Sequence, residues 1–216
     1  MNKIVSLETV SDLFKDGMTL MIGGFLGTGT PEILIDELVR KNIKDLTIIA
    51  NDTSFVDKGI GRLVANKQVK KVIASHIGTN PETGRQMSEN EMEVELSPQG
   101  TLAERVRCGG NGLGGFLTPT GIGTPVEEGK QKMEVNGQTY LLELPLRADM
   151  ALLLGHRVDK KGNITYNKAA RNFNPLMAMA ADTVVVVAEN LVEIGEIDPD
   201  HVVTPGVVVD YIVKGE

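Results

Sequence analysis

The chain has 216 residues and a mass of 23.3 kDa, with 41% hydrophobic and 24% charged residues, a composition ordinary for a globular protein with a substantial core. A net charge of −7, a pI near 5.1, 4% aromatic residues and no Trp argue against a nucleic-acid surface, which needs clustered Lys and Arg or stacking platforms. The single cysteine, Cys108, excludes an internal disulfide and suits a reducing cytoplasm; no apolar run nears the roughly 20 residues of a membrane helix, and Ile4-Val5 is too short for a signal-peptide core.

From the N-terminus, Ser6 is placed to cap a short helix in which Leu7, Val10, Leu13 and Phe14 share one face. Asp16-Gly17 marks a turn, and Met18-Thr19-Leu20-Met21-Ile22 suits a buried strand. The chain then breaks into a loop whose glycines are Gly23, Gly24, Gly27 and Gly29. Thr30-Pro31 opens a helix over 31–41, with Thr as N-cap and Pro at the first helical position. Such a loop can let backbone approach an anionic ligand, or can simply be a tight turn needing positive φ. It matches neither a P-loop nor G-x-G-x-x-G.

Residues 46–50 read as a second strand ended by Asn51-Asp52, and 57–66 as a helix weakened by Gly59 and Gly61. A third strand over 69–74 ends in Ser75-His76, and 79–84 reads as a turn. Residues 92–96 alternate as a half-exposed strand should. After a turn at 97–100, Thr101-x-x-Glu104 forms a capping box for a helix through Cys108. Between 109 and 145 the texture turns Gly-rich, and Asn136-Gly137 signals a β-hairpin. The sheet resumes at 150–154, Asn174-Pro175 caps a helix to 180, residues 183–188 read as a strand buried on both faces, and 207–213 closes the chain.

This alternation predicts an α/β fold: a mainly parallel open sheet flanked by helices, with a β-rich, Gly-rich insertion, residues 1–216 forming a single domain. Gly23, Asn51, His76 and Gln99 then fall just past the C-terminal ends of strands, the edge where open α/β sheets bind ligands.

Asn51 and Gln99 stand out there. Each can donate through a neutral NH₂, and two such donors aimed at one point stabilise an oxyanion. By residue type and position alone, the favoured reading is a turn-forming Asn and a solvated Gln. His76, His156 and His201 lack metal-ligand spacing, so no metal site is expected. Arg147 and Arg171 suit either a ligand anion or a salt bridge, and Cys108 reads as a buried small residue.

The stretch from Asp16-Gly17 through three aliphatics to Gly23-Gly24-Phe25, Gly29 and Pro31 resembles the signature of the class I (3-oxoacid) coenzyme A-transferases, where it marks the α subunit. Further segments resembling the family include Ala50-Asn51, Pro98-Gln99-Gly100-Thr101, Thr118-Pro119-Thr120-Gly121 and Arg171-Asn172-Phe173-Asn174, so the resemblance spans essentially the whole chain. It implies that Gly23, Gly24, Phe25, Leu26, Gly27, Thr28 and Gly29 contact coenzyme A, and that the amides of Asn51 and Gln99 line the active site. The implied activity moves coenzyme A between acetoacetyl-CoA or another short-chain acyl-CoA and acetate- or butyrate-type acids.

In this family the nucleophile is a Glu in a Ser-Glu-Asn-Gly motif of the β subunit. This chain offers only Ser88-Glu89-Asn90-Glu91, without the glycine and in a polar run, so Glu89 reads as a surface residue. The resemblance therefore implies a β-subunit partner in an α2β2 or larger assembly, coenzyme A as substrate, and no permanently bound cofactor. A sugar-phosphate isomerase on the same fold and a non-catalytic ligand-binding module are the alternative readings.

Overall fold

The computed structural model describes residues 2–215. The first part of the chain runs β1 (Ile4–Val5), α1 (Leu7–Ser11), β2 (Thr19–Ile22), α2 (Glu32–Arg40), β3 (Leu46–Ile49), α3 (Ile60–Ala65), β4 (Val69–Ala74), α4 (Pro81–Ser88), β5 (Glu93–Leu96) and α5 (Gln99–Gly110). The Gly-rich region holds β6 (Phe116–Thr118), β7 (Lys132–Val135) and β8 (Gln138–Glu143). The chain then continues through β9 (Ala148–Asp159), β10 (Ile164–Thr165), α6 (Asn174–Met177), β11 (Ala181–Val192) and β12 (Tyr211–Lys214).

Nine strands form one sheet in the order β1-β12-β11-β9-β2-β3-β4-β5, with β10 antiparallel on β9 and every other pairing parallel. Because side chains alternate along each strand, the central strands feed two cores. Leu20, Ile22, Ile48, Val72, Leu152 and Val185 pack with Val10 of α1, Leu34 and Leu38 of α2 and Leu63 of α3. Met21, Ile49, Ile73, Leu153 and Val186 pack on the other face with Leu102 and Val106 of α5 and Met177 of α6. The expected helix-flanked, mainly parallel sheet is what forms. Successive strands leave β2 in one direction through β3, β4 and β5, and in the other through β9 and β11. The switch point is the β2/β9 seam, with the Gly-rich loop at its mouth.

The Gly-rich insertion makes a separate antiparallel sheet, β6-β8-β7. Its hairpin turns at Asn136 (φ 53°) and Gly137 (φ 75°), the positive-φ pair expected of Asn-Gly. A charged cluster ties this sheet to the main one. Glu143 of β8 is buried and receives Lys130 at 2.5 Å, while Arg105 of α5 bonds Glu95 of β5 at 2.6 Å and the Leu144 carbonyl at 3.0 Å. Burial works against the charge on Glu95, but the hydrogen bonds and charges of Arg105 and Lys71 together outweigh it and hold its carboxyl below the ordinary range.

Four local expectations are corrected. Residues 79–84 are not a turn: Pro81–Ser88 is a helix, capped by the Asn80 side chain, which accepts from Glu82 N (3.2 Å) and Thr83 N (3.4 Å). It buries Thr83 and Gln86, both polar, so no apolar period announced it. The Thr101 capping box does not form, because α5 starts at Gln99 with Pro98 as N-cap and Thr101 lies inside the helix. Thr30 does not cap α2; Pro31 holds the cap position, its carbonyl accepting from Leu34 N at 3.0 Å. Phe173, not Asn174, is the N-cap of α6.

Two outcomes follow for stability. Glu37 of α2 accepts from Arg40 and from Ser11 of α1 (2.6 Å), and these bonds lower its pKa from 4.5 to about 2. A carboxyl depressed by folding contributes stability that is full above its unfolded pKa and lost as pH falls through the folded value. Urea unfolding of Glu37→Gln should therefore show a shallower loss of stability than the parent between pH 4.5 and about 2. Arg105→Ala removes the nearest cation of Glu95 and the donor to the Leu144 carbonyl, while Lys71 and Lys130 stay on Glu95 and Glu143, so denaturant unfolding should register a loss of about 1–3 kcal/mol.

Candidate active site

The loop after β2 leaves the sheet where β9 continues, and two asparagines from the far end of the chain hold it there. Asn174 is fully buried: its Oδ1 accepts from Leu154 N of β9 at 3.1 Å, and its Nδ2 donates to the Gly29 (3.0 Å) and Ala170 (2.9 Å) carbonyls. The side-chain amide thus takes the place of the departing strand and satisfies a β9 donor that would otherwise be buried unpaired. A Cβ on Gly23 would lie 1.9 Å from Asn174 Oδ1, so only glycine fits. Asn172 accepts from Gly24 N (3.1 Å) and donates to the Thr28 carbonyl (2.9 Å). Gly24 itself sits at φ +133°, with Thr30 Oγ1 2.0 Å from where its Cβ would be.

The seven loop residues singled out from sequence differ in exposure. Gly23, Gly24 and Gly29 are buried beneath the loop and shape it through internal packing. Phe25, Leu26, Gly27 and Thr28 alone reach its surface. They form a tight hairpin, Phe25 N to the Thr28 carbonyl at 3.0 Å and Thr28 N to the Phe25 carbonyl at 2.9 Å, which carries Leu26 at φ 48° and leaves Phe25 46% exposed.

Beside the hairpin is a depression of about 370 Å³ lined by Phe25, Leu26, Asn51, Asp52, Ser75, His76 and Gln99. The parallel register places the ends of β2, β3 and β4 and the start of α5 at one edge, so residues far apart in sequence meet. Gln99 Nε2 donates to Asn51 Oδ1, and Asn51 Nδ2 donates to Asp52 Oδ2 at 2.6 Å. Asp52 Oδ2 also accepts from Leu26 N (3.0 Å), and Oδ1 from Ser54 N (2.7 Å). At the other end, Ser75 Oγ reaches the Asn51 carbonyl (2.7 Å) and Gln99 Oε1. Asn51 is 1% exposed whereas Gln99 is exposed, so the depression has a buried amide at its floor and a reachable one at its rim. Each NH₂ carries two N–H bonds and spends one inside the network, which leaves one apiece.

The pair expected from sequence is therefore brought into direct contact. His76 lines the same depression. His156 lies elsewhere, its Nδ1 2.8 Å from Glu189, and Arg147 is spent on Asp182 (2.7 Å) and the Gly109 carbonyl. Arg171 lines a different depression, of about 440 Å³, with Arg157, Tyr166 and His201, where burial pushes the Tyr166 hydroxyl well above its ordinary range. Glu89 is half exposed at the end of α4 and bonded to Arg85, and Cys108 is buried. No group of three or more His, Cys, Asp and Glu arranged for a metal exists among the described residues. Asp52 and Ser75 were not singled out as site residues from sequence, and Asn172 and Asn174 entered only within a family-like segment and, for Asn174, as a helix cap. Asp52 and Ser75 flank sites that were singled out; the Ser75 bonds and the Asp52 bond to Leu26 are long-range and leave no local pattern, whereas the Asp52 bonds to Asn51 and Ser54 are local.

The sequence profile described as Coenzyme A transferase matches residues 6–215. The chain is 61% identical over 214 residues to the alpha chain of the acetate CoA-transferase of Escherichia coli, covering 99% of this chain and 97% of that one. It is 59% identical over 213 residues to the alpha chain of the acetoacetyl-CoA:acetate/butyrate CoA transferase of Clostridium acetobutylicum, covering 99% and 98%. Among solved structures, the acyl-CoA transferase of E. coli O157:H7 in a thioester complex with CoA superposes with a TM-score of 0.86 at 21% identity. That match takes in 99% of this chain and 47% of the other, so this chain spans about half its length. The glutaconate coenzyme A-transferase of Acidaminococcus fermentans gives a TM-score of 0.85 at 18% identity, covering 99% of this chain and 75% of that one; at these identities the likeness is one of fold.

The clamp generates a specific expectation. Gly23→Ala should destabilise the protein by forcing Asn174 out of its seat. Asn174→Ala should cost about 2–4 kcal/mol by orphaning buried partners. Because both act on one contact, the double variant should lose less than the sum of the two in denaturant unfolding.

Proposed function

The chain belongs to the coenzyme A transferase family, and from that premise we propose that it is the α subunit of a short-chain acyl-CoA:carboxylate CoA-transferase. Its relatives carry the names of acetate and acetoacetyl-CoA:acetate/butyrate CoA-transferase α subunits. On this reading the substrates are acetoacetyl-CoA or a similar short-chain acyl-CoA and an acetate- or butyrate-type acid. The partner is a β subunit, in an α2β2 or larger assembly located in the cytoplasm. No helix among the described residues is long and apolar enough to cross a membrane.

The observation that carries the reading is the contact between Asn51 and Gln99 at the sheet edge, beside the Phe25–Thr28 hairpin. A glutamate of the partner attacks the thioester carbonyl, giving an acyl-glutamyl anhydride and CoA thiolate. The thiolate then attacks the glutamyl carbonyl, releasing the carboxylate and leaving a glutamyl thioester; the acceptor acid reverses the sequence. Each attack places negative charge on a carbonyl oxygen. The free N–H bonds of Asn51 and Gln99 are neutral donors already held in place, so they bind that charge without reorganising. The hairpin residues Phe25 and Thr28, exposed, and Leu26 and Gly27, partly so, give coenzyme A a wall to lie along. Gly23, Gly24 and Gly29 act on it indirectly, by shaping that wall. The isomerase alternative wants a carboxylate base beside a phosphate-binding cation. Here no Lys or Arg lines the depression, and the Asp52 carboxylate is held by three N–H donors.

Two measurements test the reading. The purified chain alone should transfer no CoA from acetyl-CoA to acetoacetate, and co-expression with its β subunit should restore the activity. In that complex, Asn51→Ala and Gln99→Ala should each lower kcat by roughly 10²–10³-fold, about 3–4 kcal/mol, with KM little changed, as for loss of an oxyanion donor. A raised KM at unchanged kcat would assign that residue to ground-state binding instead.

A further inference from the structure

Asp52 is 4% exposed, and no Lys or Arg side chain among the described residues pairs with it. Its three partners are N–H groups from two segments: the Asn51 side chain and the Ser54 backbone of its own loop, and the Leu26 backbone of the hairpin. Leu26 and Ser54 both sit at positive φ, 48° and 55°, a conformation unfavourable for side-chain-bearing residues. Both strained residues are therefore fastened to one carboxylate, on either side of the proposed oxyanion donor.

The row Asp52–Asn51–Gln99–Ser75 has a direction, and its ends disagree about it. A carboxylate only accepts, so Asp52 requires Asn51 to turn its NH₂ inward. Asn51 must then show its oxygen to Gln99, which answers with NH₂ and turns Oε1 toward Ser75. Ser75 has one proton, and the Asn51 carbonyl at 2.7 Å also claims it. From the Ser75 end alone, the better match is a Gln99 turned the other way, donating to Ser75 Oγ. That choice would bring Asn51 Oδ1 against Asp52 Oδ2 at 2.6 Å, two acceptors in contact. The charge-assisted bond at the buried end is the stronger and decides the orientation of both amides.

We propose that Asp52 is a positioning residue of the transferase site: as an acceptor-only anchor it fixes the rotamers of the Asn51 and Gln99 amides and so aims their remaining N–H bonds into the depression. This rests on the assignment of those amides as oxyanion donors. Asp52 touches no substrate; it acts through Asn51. It also holds the Leu26 amide, so one group sets both the donors and the hairpin beside them.

The test is a double-mutant cycle in the assembled α–β complex, read as thermal midpoint, together with steady-state kinetics. Asp52→Asn keeps the shape but lets the anchor donate, and should lower kcat at least about tenfold, less than outright loss of a donor, with KM within about twofold. Gln99→Glu places an acceptor-only group at the opposite end, where it faces Asn51 Oδ1, and should lower the midpoint. In the Asp52→Asn, Gln99→Glu variant the whole row can reverse with its donors matched along the row. The midpoint of that variant should therefore fall by clearly less than the sum of the two single losses. Additive midpoints, or an Asp52→Asn complex with parental kcat, would overturn the proposal. A parental complex with no CoA-transferase activity would instead overturn the proposed function, and the midpoint cycle would still report on the row.

Discussion

The site depends on a missing methyl group. Where β2 ends and β9 runs on, the sheet would expose an unpaired N–H at Leu154, and the Asn174 amide fills the gap. It can do so only because Gly23 has no Cβ. The same side chain reaches the Gly29 carbonyl at the far end of the loop, and Asn172 takes the Gly24 N–H in between. The loop is thus pinned from below at both ends by residues about 145 positions downstream. Its upper turn, Phe25 to Thr28, is left as the part that faces outward.

That clamp also explains why the loop lies at the switch point of the sheet. Strands on one side of the β2/β9 seam come from the first half of the chain, and those on the other, apart from the short β1, from the second. The two halves are bonded through the β2–β9 ladder and, at its mouth, through Asn172 and Asn174. A depression built from β2, β3 and β4 ends therefore inherits its shape partly from a segment that does not line it. Rigid support from outside the immediate site is what an oxyanion-binding arrangement needs, since its donors must already be placed when charge develops.

The small β6-β8-β7 sheet is held by a different kind of force. Glu143 and Arg105 are among the few buried charged residues, and they join the insertion to the edge strand β5 through paired charges rather than a shared ladder. Such a joint is costly to break from one side, because the group left behind stays buried. The outer edge of β5 has no strand partner among the described residues.

Much of this was legible in the sequence, and the reason is locality. Alternating apolar runs and glycine-punctuated helices gave β2, β3, β4 and the parallel α/β architecture, because strand and helix periods are properties of neighbouring residues. Asn136-Gly137 announced its hairpin for the same reason, and the ordered Gly23-Gly24-Phe25 signature carried the family. What sequence misjudged was polar. The helix Pro81–Ser88 buries Thr83 and Gln86, so it has no apolar stripe to read. Asn174 was expected to cap a helix, the usual local role of its type, whereas its bonds run to Leu154 and Gly29. Likewise, Asn51 and Gln99 could be placed at the same sheet edge from strand ends alone, but not their contact, nor the direction that Asp52 imposes on it. Hydrophobic periodicity is written residue by residue along the chain; a hydrogen bond between distant amides depends on register and orientation, which exist only once the sheet has closed around them.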